Sequence, residues 1–278
     1  MKSLSVGIIG VGLIGGSIAL AARRVGYAVK LFEPFAKLSS RKFQGTLLMQ
    51  DVRSLVATTR LVIIATPISA VSSLAEELAE SVQPATIVSD VASVKGAVVE
   101  ILRPALSGRC EYLPCHPMTG SEKSGPESAK ASLFDNSVTI ISPEFAISAD
   151  NVRLVEDFWR DLGSRILHSS ITDHDRLVAA ISHLPHLVAG LLVDSIATHT
   201  PAALSLAGPG FRDVTRIVSG SPALWTEILL ANRLALLAHI ARFRDHLDAV
   251  SQLLESADAE NLQAFLEAAK RNRDKLDG

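Results

Sequence analysis

The sequence predicts an α/β fold, a doubly wound and mostly parallel sheet, followed by an all-helical domain. Three observations predict it. A glycine-rich turn, Gly10-Val11-Gly12-Leu13-Ile14-Gly15, joins an apolar strand to a helix near the start of the chain. Strand and helix patterns then alternate as far as Arg165–His168, and from Thr172 nearly every stretch has helical spacing. We therefore expect two domains, residues 1–170 and 171–278.

Short apolar runs define the strands of the first domain, which we expect at residues 6–9, 29–32, 61–65, 86–89, 112–115, 138–141 and 165–168. Helical spacing is clear at residues 13–24, 71–81 and 149–162. Strands that alternate with helices favour a parallel sheet covered on both faces. The first strand and helix together resemble the apolar core of a signal peptide, but the glycines inside the run favour strand, turn and helix.

The helical domain is expected to begin with a cap on Thr172 and an acid, Asp175, three residues later. Its first helix should run to about Thr198 and kink at Pro185, because proline removes a backbone donor. Gly208-Pro209-Gly210 breaks the chain before two further helices, at residues 222–255 and 259–275. The apolar character of residues 187–197 and 224–237 predicts burial against a second copy, which makes a homodimer.

Composition restricts the class of protein. Hydrophobic residues make up 48% of the chain, charged residues 20%, and the net charge is −2, as in a globular protein with a large core. No block of Lys or Arg suggests a nucleic-acid partner, and we expect neither a nucleic acid nor a membrane. Two cysteines without CxxC spacing, Cys110 and Cys115, favour a reducing, cytoplasmic setting.

The glycine-rich turn has the GxGxxG pattern of dinucleotide sites, in the strand-to-helix context that gives the pattern its meaning. Gly10, Gly12 and Gly15 would allow a tight turn and a close pyrophosphate, while Leu13 and Ile14 open the helix. Glu33 ends the second strand, where it would bind the ribose hydroxyls and repel the 2′-phosphate of NADP. NAD is therefore the predicted cofactor. The alternatives are a turn that serves packing only and an exposed loop acid.

Ligands of doubly wound sheets lie beyond the carboxyl ends of the strands, so three loops are candidate walls of a site. The first is Thr66-Pro67, which we assign to the cofactor. The second contains Ser93 and Lys95, and the third runs from His116 to Glu122. A histidine that titrates near neutrality can take a proton from an alcohol as hydride leaves it, which makes His116 a candidate base. The alternative is a structural histidine.

Three side chains of the helical domain are candidates for binding substrate. His183 and His186 lie three residues apart on one helix face, where they either line a polar cleft or are buried and hydrogen-bonded. No acid pair accompanies them, and we expect no metal. Arg216, which precedes Trp225 and Asn232, either clamps a carboxylate or pairs with Asp213 on a helix surface.

These motifs, in this order, resemble the prephenate/arogenate dehydrogenase family of tyrosine biosynthesis. The matching segments are GVGLIGGS at 10–17, DVASVK at 90–95, HPMTGSEKSG at 116–125, SHLPH at 182–186 and GFRDVTR at 210–216, with Trp225. The glycine motif is generic. The later motifs are together specific to the family, because they contribute residues from two domains to one site. The resemblance implies a Rossmann domain that binds NAD, followed by a helical domain through which two subunits dimerise.

The resemblance also implies roles for individual residues. His116 would accept the hydrogen of the substrate's ring hydroxyl, and Ser93 would position that hydroxyl or His116 itself. Arg216 would bind one of the substrate's carboxylates, with the choice between them left open. The substrate pocket would be lined by His186, His183, Glu122, Asp213 and Trp225. The substrate would be prephenate or arogenate, which differ only in a side-chain keto or amino group.

Two other functions remain open. A β-hydroxyacid dehydrogenase would need a catalytic lysine in the helical domain, but the lysines after Lys130 are Lys270 and Lys275, near the end of the chain. A catalytically silent NAD-binding sensor would be expected to have lost His116 or Arg216. No regulatory domain is expected after the last helix, so any inhibition by tyrosine would take place at the active site.

Overall fold

The computed structural model describes residues 4–34, 38 and 41–276. The chain divides into two compact units, Met1–Arg233 and Leu234–Gly278. The predicted division into domains at residue 170 stays a prediction.

A six-stranded sheet forms the centre of the first unit. Its strands lie in the order β3-β2-β1-β4-β5-β6, and every neighbouring pair is parallel. Their bounds are β1 Ser5–Ile9, β2 Ala28–Phe32, β3 Leu47–Leu48, β4 Leu61–Ile64, β5 Ile87–Asp90 and β6 Glu111–Tyr112. Every residue of β4 and β5 is buried, as in a parallel sheet with both faces covered. This strand order confirms the predicted doubly wound fold.

Helices cover both faces of this sheet: α1 Leu13–Arg24, α2 Val52–Val56, α3 Val71–Ser81 and α4 Gly96–Leu106. Successive side chains of a strand point to opposite faces, so β4 contributes to two separate cores. Ile63 packs in the cluster that contains residues of α1, and Val62 and Ile64 pack in the cluster that contains residues of α3 and α4. The sequence patterns predicted neither α2 nor α4.

A second sheet carries His116. It has the order β7-β8-β9, with β7 Cys115–Pro117 antiparallel to β8 Val138–Ile141 and β8 parallel to β9 Arg165–His168. Helix α5, Ala149–Asp161, connects β8 to β9.

The expectation of one strand over residues 112–115, with His116 directly after it, is wrong. His116 lies inside β7, opposite Ile140. The Leu113 N–H still donates to the carbonyl of Val88 in β5, at 2.9 Å, and the chain then passes to the second sheet. The carbonyl of Pro114 accepts a hydrogen bond from the Ser142 N–H, at 2.9 Å.

The first helix of the helical region is continuous from Ile171 to His199. It comprises α6 Ile171–Val178, a π-helical turn at Ala179–His183 and α7 Leu184–His199. The predicted cap on Thr172 is wrong. Ser170 caps the helix instead, because its Oγ accepts from the Asp173 N–H at 3.0 Å and donates to the Asp173 carboxylate at 2.9 Å. A kink was predicted at Pro185. Just before this residue, the hydrogen bonds of the helix change from the α-helical to the π-helical pattern.

Two short helices complete the first unit. These are α8 Pro209–Thr215 and α9 Pro222–Ala231, with 3₁₀ turns at Pro201–Leu206 and Arg216–Ser219. The second unit, Leu234–Gly278, contains helix α10, Arg233–Glu255, from its second residue onward, and helix α11, Ala259–Asp274. The expectation of one helix over residues 222–255 is wrong, because Asn232 interrupts it with a buried side chain that bonds elsewhere.

The helical segments carry large apolar side chains on their surface. Ile181 is 67% exposed, and Leu191 and Leu230 are each 60% exposed. By length and composition alone, Ile171–His199 is apolar enough to cross a bilayer. Only 28% of its most apolar stretch is buried inside the protein. Exposed apolar surface of this extent is typical of a region that something else covers.

Candidate active site

The glycine-rich turn lies where β1 ends and α1 begins. Gly10 has a φ of +89°, which favours glycine, and a Cβ there would lie 2.8 Å from the carbonyl oxygen of Ala65. A Cβ on Gly15 would lie 1.9 Å from the carbonyl oxygen of Gly10, so only glycine lets α1 approach the turn. Gly12, the residue before α1, faces open space. This open side, next to a helix amino end, suits a pyrophosphate.

Two side chains beside the turn suit the rest of a dinucleotide. The Glu33 carboxylate accepts a hydrogen bond from the Val11 N–H at 2.6 Å, which holds it next to the glycines. Thr66 follows β4, and its Oγ1 is buried without a hydrogen-bond partner in the described part of the chain. A buried hydroxyl without a partner costs free energy, and a bound ligand would supply one. Together with Leu13, Ile14 and Pro67, these residues fit a dinucleotide cofactor.

A chain of hydrogen bonds begins at His116. Its Nδ1 lies 2.8 Å from Nε2 of His174, and Nδ1 of His174 lies 2.7 Å from Oδ1 of Asp175. The two carboxylate oxygens of Asp175 accept the backbone N–H groups of Lys95 and Gly96, each at 2.8 Å. Three side chains therefore tie β7 and α6 to the amino end of α4.

Sequence reasoning missed His174 and Asp175 as site residues and treated them only as part of a helix start. Because Ser170 and Asp173 form the cap, Asp175 is available to bind the α4 backbone. The one local signal was an adjacent histidine and aspartate at the entry to the helical region. Nothing in the sequence paired them with His116, which is 58 residues from His174.

A buried ion pair lies next to the hydrogen-bonded side chains of His116, His174 and Asp175. Lys95 and Asp90 are each 1% exposed, and the Lys95 ammonium pairs with the Asp90 carboxylate and donates to the carbonyl of Cys115 at 2.6 Å. The Tyr112 hydroxyl donates to the other oxygen of Asp90 at 2.7 Å. Cys115 precedes His116, so Lys95 holds the backbone of β7 with its side chain and the carboxylate of Asp175 with its N–H. Ser93, half-buried, lies in the same loop.

Burial dominates the electrostatics of the site. Loss of solvent lowers the pKa of His116 well below its usual value, and the nearby His174, Lys95 and His183 lower it further. Burial also lowers the pKa of His183 to about 4. Burial alone would raise the pKa of Asp175, but hydrogen bonds from His174 and the α4 backbone outweigh it and lower that pKa. At neutral pH, neutral His116 and His183 therefore accompany an ionised Asp175.

His183, His186 and Trp225 form a cluster of rings. His186 stacks on Trp225 with ring centroids 3.5 Å apart, and His183 meets the same indole edge-on at 6.3 Å. Asn232 connects this cluster to the His116 chain, because its Nδ2 donates to the carbonyl of Asp175 at 2.7 Å and lies 3.2 Å from Nδ1 of His183. Nδ1 of His186 is buried with no partner among the described residues, so it can bind a ligand.

Arg216 pairs with Glu122, with Nη1 and Oε2 3.2 Å apart, and not with Asp213 as the alternative from sequence had it. The two side chains are 62% and 32% exposed, and Asp213 is exposed on α8. The 3₁₀ turn that Arg216 begins ends next to Gly220, where a Cβ would lie 2.8 Å from the indole nitrogen of Trp225. The pair therefore lies one short turn from the ring cluster. No group of His, Cys, Asp and Glu within the described ranges is arranged to hold a metal ion.

Known proteins resemble the chain over nearly its whole length. Residues 18–168 match the family model "Prephenate dehydrogenase, nucleotide-binding domain", and residues 170–268 match "Prephenate dehydrogenase, dimerization domain". The prephenate dehydrogenase of Bacillus subtilis is 34% identical over 280 residues, which cover 96% of this chain and 74% of the relative.

Two solved structures share the fold. The crystal structure of Synechocystis arogenate dehydrogenase has a TM-score of 0.85 and 30% identity, and the match covers 98% of this chain and 100% of that one. Prephenate dehydrogenase from A. aeolicus, in complex with hydroxyphenyl propionate and NAD+, has a TM-score of 0.88 and 27% identity over 99% of both chains. With both domain models matched in order and a relative above 30% identity, the chain belongs to the prephenate dehydrogenase family.

Proposed function

We propose that this chain oxidises and decarboxylates prephenate to 4-hydroxyphenylpyruvate in tyrosine biosynthesis, with hydride transfer to NAD, and that arogenate is a second substrate. The observation that carries the proposal is His116, buried and neutral, at the end of a hydrogen-bonded chain between the sheet and the helices. A base of this kind can act on an alcohol during oxidation.

The reaction needs little acid–base catalysis from the protein. The ring carbon that carries the hydroxyl would give its hydride to NAD held at the glycine-rich turn. His116 takes the hydroxyl proton as that carbon becomes carbonyl-like. Loss of the ring carboxylate as carbon dioxide makes the ring aromatic, and the oxygen then regains its proton, so no net proton is released. Ser93, which follows β5, positions the hydroxyl or His116 in this proposal.

Substrate binding falls to the ring cluster and the exposed arginine. Arg216 supplies a positive charge for one of the substrate's carboxylates. Glu122, the partner of Arg216, would pair with the ammonium group of arogenate. The stacked His186 offers a buried Nδ1 without a partner among the described residues. The rest of the proposed pocket comprises His183, Trp225 and Asp213.

The two rival functions have less support. The lysine that a β-hydroxyacid dehydrogenase would need is not supplied by Lys270, which is 76% exposed and pairs with Asp274 at 2.7 Å. A silent sensor would have no use for a buried base held by His174 and Asp175.

A second copy of the chain covers the apolar helical surface in this proposal. The matched family model is a dimerization domain, and Leu191 and Leu230 are each 60% exposed. A bilayer is less suited to cover this surface. Ile171–His199 contains polar groups of the site, such as Asp175 and His186, and placing them in a hydrocarbon core would cost free energy. We therefore propose a cytoplasmic homodimer that binds neither membrane nor nucleic acid.

The test is the formation of NADH from prephenate and, in parallel, from arogenate. The wild-type protein should turn over prephenate, and His116→Asn should lower kcat by roughly 10²–10⁴-fold with unchanged NAD affinity by fluorescence. The matched control is His168→Asn, an exposed histidine that pairs with Glu156. Inactivity of the wild type on both substrates would contradict the function. A normal kcat in His116→Asn would move the base to His183 or His186.

A further inference from the structure

The chain His116–His174–Asp175 has the form of a base oriented by a second ring and a carboxylate. We propose that His174 and Asp175 are positioning residues, which set the tautomer of His116 and share its proton during the reaction. This inference rests on the proposed function, in which His116 accepts the hydroxyl proton.

The carboxylate decides the direction of each hydrogen bond in the chain. An ionised carboxylate only accepts, so Nδ1 of His174, 2.7 Å away, carries a hydrogen and donates it. With its one hydrogen on Nδ1, His174 has a bare Nε2, which accepts from the Nδ1–H of His116 at 2.8 Å. Neutral His116 consequently has a bare Nε2. The ring nitrogen outside the chain is therefore the one that can take a proton.

Asp175 is held in this acceptor state by its own partners. Its Oδ1 and Oδ2 accept the N–H groups of Lys95 and Gly96, where α4 begins. Unpaired N–H groups at a helix amino end favour a negative charge. Asn232 holds the backbone carbonyl of Asp175 at 2.7 Å, so the carboxylate has both a fixed position and a fixed charge.

The hydrogen bonds to His174 and Asp175 also lower the free-energy cost of protonating the buried ring of His116. A proton on Nε2 of His116 places a positive charge near Lys95 and His183, which disfavour it. Passing the Nδ1 proton of His116 to Nε2 of His174 moves that charge next to the Asp175 carboxylate. Opposite charges in contact attract more strongly at a buried site than in water.

The protons balance without an external base. Nε2 of His116 takes the hydroxyl proton, and the Nδ1 proton of His116 moves to Nε2 of His174. When the electrons of the broken C–CO₂ bond enter the ring, the oxygen takes its proton back from His116. The Nδ1 proton returns from His174 to His116 as Nε2 gives up its proton, so His116 keeps at least one ring hydrogen throughout. The hydrogen-bonded side chains therefore accept one proton from the substrate and return it in each turnover.

Nitrogen-15 NMR of protein labelled in the histidine rings reads the tautomers directly and needs no substrate. At neutral pH, His116 and His174 should each carry their hydrogen on Nδ1. In Asp175→Ala, Nδ1 of His174 loses its acceptor, so both rings should lose their fixed tautomer and carry part of their hydrogen on Nε2. The matched control is Asp173→Ala, at an exposed acid one residue before His174, which should leave both tautomers unchanged.

Kinetics separates positioning from a purely structural role. Asp175→Ala and His174→Gln should lower kcat by roughly 10²–10⁴-fold, because the shared proton exists mainly in the transition state. KM for prephenate and the affinity for NAD should stay near wild type, and Asp173→Ala should keep its kcat.

An Nε2–H tautomer of His116 in the wild type would overturn the inference, even if neither variant folds. So would a normal kcat in Asp175→Ala. A normal kcat in His116→Asn would also overturn it, because His116 would then not be the base. The proposed function fails by a different result, the inactivity of the wild type on both prephenate and arogenate, whichever tautomer His116 has.

Discussion

Lys95 and Asp90 form an ion pair in which each side chain is 1% exposed. The Tyr112 hydroxyl and the carbonyl of Cys115 complete its hydrogen bonds. Removing one partner of a buried pair leaves the other charge unpaired, which costs more than the pair contributes.

Lys95→Met should therefore lower the free energy of unfolding by about 3–5 kcal/mol, measured by urea denaturation. The matched control is Arg53→Met, because Arg53 pairs with Glu80 on the surface, with the two side chains 69% and 74% exposed. That change should cost at most about 1 kcal/mol. Equal losses for the two variants would contradict the importance of the buried pair.

Arg216→Ala should raise KM for prephenate and change kcat little, because a carboxylate clamp acts in the ground state and the transition state alike. Arg212→Ala is the control, since Arg212 lies one turn earlier and donates to the carbonyl of Ala207 at 3.2 Å. Steady-state kinetics checks both variants. An unchanged KM in Arg216→Ala would reduce Arg216 to a surface partner of Glu122.

Glu122→Gln should change the ratio of the prephenate and arogenate rates, because only arogenate carries an ammonium group that the acid can pair with. Parallel rate measurements on the two substrates give the ratio. If it equals that of the wild type, Glu122 takes no part in substrate choice.

NAD should be preferred to NADP by about ten- to a hundredfold, the equivalent of one charged hydrogen bond from Glu33. The carboxylate already lies beside the glycine turn, held by the Val11 N–H. Glu33→Gln should narrow the preference, because it removes the charge that repels a 2′-phosphate. The measurement is kcat/KM with each cofactor, and a wild type that uses both equally would refute the role of Glu33.

Stability should fall as the pH is lowered from about 6.5 to about 4. The pKa of His183 is about 4 in the folded chain and about 6.5 in an unfolded one, so the unfolded state binds more protons in this range. The lowered pKa of His116 acts in the same direction.

Urea midpoints measured across this range give the slope, and His183→Gln should remove part of it. The control is His199→Gln, at the exposed end of α7. A slope that His183→Gln leaves unaltered would show that His183 does not charge on unfolding.

Local sequence was enough for the parts of the site that one or two neighbouring elements build. The GxGxxG pattern specifies a strand, a turn with positive φ and a helix amino end, and the structure has all three. Neighbouring parallel strands end at the same edge of a sheet, so the position of Glu33 at the end of β2 is enough to predict that it lies beside the turn. Strand and helix periods likewise predicted an α/β sheet followed by helices, but they missed α2, α4 and the break between β6 and β7.

Only the tertiary structure decided which distant groups meet. His116 reaches His174 across 58 residues, and Arg216 reaches Glu122 across 94. A helix period specifies which residues share a face, and a cap specifies where a helix begins, but neither specifies the element packed against that face. The chain passes from the first sheet to the second at Pro114, whose carbonyl binds the Ser142 N–H, and Ser170 forms the cap that Thr172 was predicted to supply. The pairing of His116 with His174 and Asp175 follows from how β7, α4 and α6 pack, which local spacing does not encode.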